Sequence, residues 1–421
     1  MMKYVIIGAS AAGLACAEQI RKEDKEGKIL IITKEDYLPY SRPSISYFLK
    51  GKVKKKDMFL RNSDYYSKNG IGILTGTRVK AIDRKAKTLL AGRKSYSYDR
   101  LCICTGSKPF VPPVKNASGK VNVFSFLDLA SASLIKEKAN GNTRAVVVGA
   151  GLIGMKAAEG LSGICKSVDV VELAPRVLPS ILDSKSAKGV KKYLEDKGKI
   201  RFHLCNTVTK AKSRGREITS VVLNSGKELE CDMLILAPGV RPETLLAEES
   251  GLEVNRGIVT NPKTMRTSDK FIFAAGDCTL SVDMLDGSRK IIALYPNAVY
   301  QGTVAGSQMA GGKMQLGGTY SVNSIDFYGL RICTCGLINA EGERYKEKII
   351  QNGDRYKRLI FEGNRLVGFV LINSSENAGI YTNLIESKTD LGELQGDILG
   401  TPSVFLFDKN TREKRLKGEL L

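Results

Sequence analysis

Two short glycine segments are the residues in this chain best suited to chemistry. Gly8-Ala9-Ser10-Ala11-Ala12-Gly13 has the spacing G-x-S-x-x-G, and Gly149-Ala150-Gly151-Leu152-Ile153-Gly154 is a full G-x-G-x-x-G. In such a segment the first glycine permits a tight turn. The small middle residue, Ser10 or Gly151, lets backbone N–H groups approach a pyrophosphate, and the last glycine lets a helix pack closely on a strand. An acid follows each copy: Glu35 stands 22 residues past Gly13, and Glu172 closes the second unit. A carboxylate there can accept hydrogen bonds from ribose hydroxyls. One copy alone is weak, but two copies 141 residues apart predict two dinucleotide sites in one chain.

These segments work only between a strand and a helix, and the flanking residues provide both. Lys3–Ile7 reads as a short buried strand, residues 14–21 as a helix and Lys28–Ile32 as the next strand. Arg144–Val148, a helix from Met155 and the strand Ser167–Val171 repeat the arrangement. A chain of 421 residues exceeds one ordinary core, so three domains are expected. Its 42 glycines, absence of Trp and 43% apolar content fit an α/β protein with many tight strand-to-helix turns. The fold class expected is therefore α/β, with two Rossmann-type units and a C-terminal α+β domain.

Composition narrows the remaining classes. The formal net charge of +21 should draw acidic partners, whether nucleic acid, anionic lipid or an acidic protein. None of the nine Cys falls in C-x2-C or C-x4-C spacing, which argues against a zinc site, an iron–sulfur cluster or a redox dithiol, so no metal is expected. A reducing cytoplasm is the default. The apolar start 4–17 faintly imitates a leader, but the first glycine segment explains it better. No apolar run reaches the roughly 18 residues that span a bilayer.

Further motifs lie at the expected distances from the glycine segments. Residues 98–109 end an apolar strand in Thr105-Gly106; Leu236-Ala237-Pro238-Gly239-Val240-Arg241-Pro242 matches it behind the second unit, and Phe273-Ala274-Ala275-Gly276-Asp277 follows. Together with the two fingerprints, these resemble the two-dinucleotide FAD and NAD(P)H oxidoreductases, the pyridine nucleotide-disulfide oxidoreductase family, over nearly the whole chain. The resemblance implies bound FAD and NAD(H). It also implies a split FAD domain, 1–110 and 241–318, an inserted NAD(H) domain, 111–240, and an interface domain, 319–421. It implies FAD contacts at Gly8, Ser10, Ala11, Gly13, Glu35, Arg42, Pro43, Val79, Thr105 and Gly106. Asp277 would take a ribityl hydroxyl, and the helix beginning after Pro296, with Asn297 and Ala298, would aim its positive end at the flavin pyrimidine ring. NAD(H) would lie on Gly149, Gly151, Ile153, Gly154, Glu172, Arg176 and Gly239. Glu172 favours NADH over NADPH because it repels a 2′-phosphate, with Arg176 as the one reservation.

Tyr40-Ser41-Arg42-Pro43-Ser44-Ile45-Ser46-Tyr47 most resembles the branch with rubredoxin reductases, ferredoxin reductases and the flavin part of assimilatory nitrite reductases. Disulfide-active branches carry a cysteine here, whereas this chain has none between Cys16 and Cys102. Some relatives place a Lys at the end of this loop and a Glu two residues past the second fingerprint. Tyr47 and Lys156 stand there instead, so Arg42, Tyr47 and Lys156 are the residues expected beside the reacting rings. Lys156 either faces the flavin and favours its reduced anion or is a solvated helix lysine. His203, the single histidine, lies in a strand pattern and reads as structural. The Cys102/Cys104 and Cys333/Cys335 pairs, and Cys278, read as buried packing.

The function expected is NADH-dependent reduction of a small acidic iron–sulfur protein, ferredoxin or rubredoxin, through hydride transfer to flavin. No nucleic acid or membrane partner is expected, and a homodimer stays open. Two alternatives remain: an NADH oxidase or peroxidase-like flavoenzyme, and a basic, nucleic-acid-binding, redox-sensing flavoprotein, for which Lys50 to Lys56 is the only dense basic run. Lys54, Lys55 and Lys56 are expected to flank the flavin edge.

Overall fold

The computed structural model describes residues 1–392 together with Ile398 and Glu413. Short apolar β-branched runs give the strands, and the glycine turns set where helices begin. The helices are α1 (Ala11–Glu23), α2 (Ile45–Leu49), α3 (Ser63–Lys68), α4 (Leu129–Lys138), α5 (Leu152–Ser162), α6 (Ser184–Gly198), α7 (Leu245–Glu249), α8 (Tyr295–Met309) and α9 (Ala378–Glu386).

A fully parallel five-stranded sheet is built in the order Ile272–Ala274, Arg100–Ile103, Lys3–Ile7, Lys28–Ile32, Ile71–Leu74. A second repeats that order as Val123–Ser125, Met233–Leu236, Arg144–Val148, Ser167–Val171, Ile200–His203. Each half adds an antiparallel three-stranded meander, Val79–Asp83 to Lys94–Ser97 in the first and Val208–Arg214 to Glu228–Glu230 in the second. The central strands are buried along most of their length, as all-parallel sheets require. The chain is thus an α/β protein in which one architecture occurs twice.

Both fingerprint helices start earlier than their apolar pattern suggests. Ser10 and Gly151 are the N-caps, so each helix begins inside the glycine segment and the last glycine lies in its first turn. α8 likewise starts at Tyr295, with Pro296 in its first turn, where a missing N–H costs nothing.

The chain forms two compact units, Met1–Leu178 with Lys191–Tyr320, and Pro179–Val190 with the chain from Ser321 onward. Both parallel sheets belong to the first. One tie between its halves is the antiparallel pairing of Ser107–Pro109 with Val240–Pro242. The second unit has an antiparallel sheet in the order Val322–Phe327, Leu330–Gly336, Arg365–Ile372, Arg355–Glu362, Tyr345–Asn352, with a hairpin turning at Gly363. Residues 179–190 join it although they lie in the middle of the sequence: Tyr356 Oη donates to Asp183 at 3.3 Å and the Arg358 guanidinium stands 3.8 Å away.

α8 crosses α1 at backbone contact distance. A Cβ on Gly302 would lie 2.2 Å from the Ala12 carbonyl oxygen, and one on Gly306 2.4 Å from that of Cys16. Neither carbonyl can move without breaking α1, so Gly302→Ala and Gly306→Ala should each cost about 1–3 kcal/mol in denaturant unfolding. Gly189→Ala, which has open space in α6, should be neutral or gain up to about 1 kcal/mol. Equal effects at all three positions would refute the close crossing.

Candidate functional site

The first fingerprint is closed by a backbone contact. Gly8 has φ +108°, and a Cβ there would stand 2.1 Å from the Cys104 carbonyl oxygen; one on Gly149, at φ +106°, would stand 2.5 Å from that of Ala237. Neither Ser10 nor Gly151 forms a side-chain cap bond, so the first-turn amides of α1 and α5 keep their donors available. Nothing lies within 4 Å of a Cβ on Gly151. Two unspent helix N-termini with open backbone fit two pyrophosphates.

A cavity beside α1 is lined by Ala9, Ser10, Thr33, Glu35, Tyr40 and Arg42, among others. The Arg42 guanidinium pairs with Glu35, and its Nε donates to Ser10 Oγ at 3.1 Å. Tyr40 Oη donates to Glu35 at 2.7 Å and accepts from the Leu129 amide at 3.0 Å. The ribose acid, the middle fingerprint residue and the arginine of the Arg42-Pro43 loop therefore meet. Lys55 joins this end as well: its ammonium lies 4.4 Å from the Tyr37 ring, and Tyr37 lines the same cavity. Lys55 therefore stands beside the cavity that Glu35 lines.

Thr105, Gly106, Asp277, Asn297 and Ala298 form a second group. Thr105 Oγ1 donates to the Glu243 carbonyl at 2.7 Å, and Ser107 Oγ donates to Asp277 at 3.2 Å. Burial raises the Asp277 carboxyl above its ordinary value, and Ser107 and Arg42 only partly oppose it. Ala298 is buried, close to Gly276, and Asn297 Nδ2 donates to the Tyr320 carbonyl at 3.2 Å. Sequence reasoning missed the residue that fastens α8 to the segment following Gly276. Buried Gln301 accepts from Gly276 N at 2.8 Å and Thr279 Oγ1 at 3.0 Å, and donates to Ser281 at 2.8 Å. Val79 opens the first meander opposite Ala91 and packs against the cluster that includes Val5, Ile32 and Ile103.

In the second half Glu172 accepts from the amides of Ala150, at 2.6 Å, and Ala174, at 2.8 Å. The acid is thereby fixed against the fingerprint turn. Arg176 lies half-buried in the same loop, and Gly239, at φ +147°, accepts from the Phe110 amide at 2.9 Å. Ile153 lies in the first turn of α5.

Between the two halves, α2 packs on α5. A Cβ on Gly160 would stand 2.8 Å from Leu49 Cδ2. Here the Glu159 carboxylate, its side chain 1% exposed, pairs with Lys50, the C-cap of α2, and with Lys156 from α5 at 3.0 Å. The Tyr47 ring, 39% exposed, has the Lys50 and Lys156 ammoniums 5.8 and 5.6 Å from its centroid. A Lys–Glu pair thus joins the same two helices, each partner three residues beyond the positions of Tyr47 and Lys156. Neither Lys50 nor Glu159 was singled out from sequence, and Lys156 is ion-paired rather than an isolated solvated lysine.

His203 Nε2 donates to Asp169 at 2.8 Å, and Arg201 pairs with the same carboxylate. Burial pushes Asp169 up, but these partners outweigh it and hold it below the ordinary range, so the histidine belongs to a structural ion cluster. Cys102, Cys104, Cys278, Cys333 and Cys335 are buried, and burial pushes the Cys278 thiol up to about 12. Such thiols are inert. Among the described residues no group of three or more His, Cys, Asp or Glu is placed to hold a metal ion.

Fold and site together define an α/β protein with two dinucleotide-binding halves. The chain belongs to the pyridine nucleotide-disulphide oxidoreductase family, whose model matches residues 2–302, and residues 322–389 match the C-terminal domain of rubredoxin NAD+ reductase. It is 37% identical over 321 residues to an NADH oxidase of Methanocaldococcus jannaschii, covering 74% of this chain and 70% of that one. It is 30% identical over 406 residues to the epsilon subunit of an NADH-dependent phenylglyoxylate dehydrogenase of Aromatoleum evansii, covering 95% of both. Among solved structures, a covalent putidaredoxin reductase–putidaredoxin complex matches with TM-score 0.87 and 25% identity, covering 96% of this chain and 97% of that one. The protein is an FAD-containing NADH oxidoreductase. Among the described residues no helix is long and apolar enough to cross a membrane.

If Asp277 takes a ribityl hydroxyl, as the resemblance implies, its raised carboxyl makes FAD binding depend on pH. A ribityl hydroxyl donating to its carboxylate lowers that pKa, so binding releases a proton. FAD affinity should therefore be constant at high pH and weaken as pH falls through the raised Asp277 pKa of the flavin-free protein. Asp277→Asn should bind more weakly throughout and show no such dependence in fluorescence titrations. Identical pH profiles for the two proteins would remove Asp277 from the FAD site. In the second half, Glu172→Ala should weaken NADH binding and narrow the preference over NADPH, read as the ratio of kcat/KM values.

Proposed function

We propose that the protein is an NADH-dependent reductase that hands single electrons to a small acidic iron–sulfur protein of the ferredoxin or rubredoxin type. When bound, FAD supplies the conversion between two-electron and one-electron chemistry. The chain's residues have four tasks in this reading: Gly8, Ser10, Gly13, Glu35 and Arg42 hold the adenosine and pyrophosphate end, Asp277 the ribityl chain, α8 the flavin ring, and Glu172 the NADH ribose. Residues 1–110 and 241–318 serve FAD, 111–240 serve NAD(H), and 319–421 serve as an interface domain.

The observation that carries this reading is the loop that ends in α2. It holds no cysteine, so no thiol stands in that loop to take electrons, and in this reading they leave to an external acceptor. The net charge of +21 favours an acidic one, since transient electron-transfer encounters take their rate from charge. The resemblance to a putidaredoxin reductase caught with its partner and to the C-terminal domain of rubredoxin reductases supports the same class. The full-length likeness to a dehydrogenase subunit also fits electron exchange with another protein. A second reading, direct reduction of oxygen, is favoured by the 37% identity to an NADH oxidase.

Electrostatic encounter predicts a salt signature. The Debye length falls from about 30 Å at 0.01 M salt to about 10 Å at 0.1 M. The rate of ferredoxin or rubredoxin reduction should fall across that range, and fall further in a Lys54→Glu, Lys56→Glu variant, which reverses two exposed charges and leaves Lys55 on Tyr37. Flavin bleaching by NADH should not change. An acceptor rate indifferent to salt and charge, with faster oxygen reduction, would replace this reading by the oxidase.

A further inference from the structure

The cavity beside α1 has the geometry of a nucleotide site. α1 starts beyond Lys3–Ile7 with first-turn amides that no side chain caps, and Glu35 follows the neighbouring parallel strand, Lys28–Ile32. A pyrophosphate on those amides brings a ribose to the acid beyond the second strand. The Glu35 side chain is 21% exposed, so a ligand can reach it, yet two donors already hold it. Tyr40 Oη donates to Oε2 at 2.7 Å, and the Arg42 guanidinium pairs with Oε1. A carboxylate offers about four lone pairs, so each oxygen retains one. Two acceptor sites side by side match the adjacent hydroxyls of a ribose.

Tyr40 is itself set by a segment of the other half. It is 4% exposed, and its hydroxyl accepts from the Leu129 amide at 3.0 Å. An amide N–H can only donate, so the phenol proton is left for Glu35. Leu129 opens α4, and the positive end of that helix polarises the phenol toward donation. Residues 126–129 follow directly on Val123–Ser125, the edge strand of the second parallel sheet. The same region holds the neighbouring chain at two further points. Arg42 of the FAD loop donates to the Leu127 carbonyl at 3.2 Å, and Lys136 Nζ of α4 donates to the Phe48 carbonyl of α2 at 2.6 Å. We infer that Tyr40 is a positioning residue for the adenosine ribose of FAD: it aims the Glu35 carboxylate from α4, so the second half of the protein sets how well the first half reads the ribose hydroxyls. This rests on Glu35 as the ribose acid.

The test titrates the deflavinated full-length chain with FAD and with an FAD whose adenosine ribose lacks the 2′-hydroxyl, followed by flavin fluorescence. The unaltered protein should prefer FAD about tenfold, the order expected for one hydrogen bond to a charged group. Tyr40→Phe keeps the buried ring and removes only the hydroxyl, and it should cut that preference to about twofold. Glu35→Gln should cut it similarly. Adding Tyr40→Phe to Glu35→Gln should change the ratio no further, because the phenol acts through the carboxylate. A general loss of packing lowers both affinities alike and does not move the ratio. If Tyr40→Phe weakens both ligands by one factor, or weakens neither, the phenol is structural and the inference fails. Glu35→Gln separates that failure from failure of the site itself. If it loses the preference while Tyr40→Phe keeps it, the ribose acid stands and the role of Tyr40 falls; if it keeps the preference, Glu35 does not hold the ribose.

Discussion

The carbonyl oxygens of Cys104 and Ala237 stand where a side chain at positions 8 and 149 would begin. Each belongs to the segment that leaves one parallel strand, and each presses on the turn that leaves the neighbouring strand for a helix. The two halves rest on this contact because it fixes how closely the strand ends converge. Convergence sets the direction of α1 and α5, and hence where their unspent N–H groups point. Glu172 shows how much follows. Its carboxylate bonds the amides of Ala150 and Ala174, which is possible only because the turn at Gly149 brings Ala150 within reach. A bulkier residue at Gly149 would displace the start of α5 and the Glu172 carboxylate together.

The junction of α2 and α5 shows the same economy with charge. A carboxylate as buried as that of Glu159 would be costly alone, and Lys50 and Lys156 reach it from two helices. Removing Glu159 would leave two ammoniums facing each other between the halves, so the shared carboxylate favours one packing of α2 on α5. Gly160 adds a steric condition, since only its missing Cβ admits Leu49. Charge and shape thus agree on one separation between the FAD loop and the second fingerprint.

The local part of this design is legible in sequence. Gly8, Gly13, Gly149, Gly154, Glu35 and Glu172 announce themselves by spacing, because the strand, turn and helix they serve are contiguous. The paired strand order of the two sheets follows from repeating that unit. What the sequence hid depends on contacts between distant segments. Lys50 and Glu159 look like surface helix residues until α2 and α5 are packed. Gln301 reads as one polar residue in a helix, yet it satisfies groups at 276, 279 and 281 that no spacing rule connects with it. Residues 179–190 sit in the middle of the second half by sequence, and only Tyr356 and Arg358 reveal that Asp183 belongs with the C-terminal sheet. Helix starts were misjudged for a local reason: apolar periodicity becomes visible only after the glycine segment, whereas the hydrogen-bonded turns begin inside it.

A site that lacks obvious acid and base residues is consistent with hydride chemistry, because no proton has to be placed in step with the transfer. The protein's contribution is separation, orientation and field. The sole histidine is absorbed in an ion cluster with Asp169 and Arg201, and the thiols nearest the first fingerprint are buried and raised. Acceptor identity is therefore not written in the residues that hold the cofactors. It depends on what can approach the flavin from outside, which the surface controls through charge and access. That separation accounts for how one architecture is shared by proteins as different as an NADH oxidase and a putidaredoxin reductase: the cofactor frame constrains the backbone tightly, and the acceptor surface constrains it hardly at all.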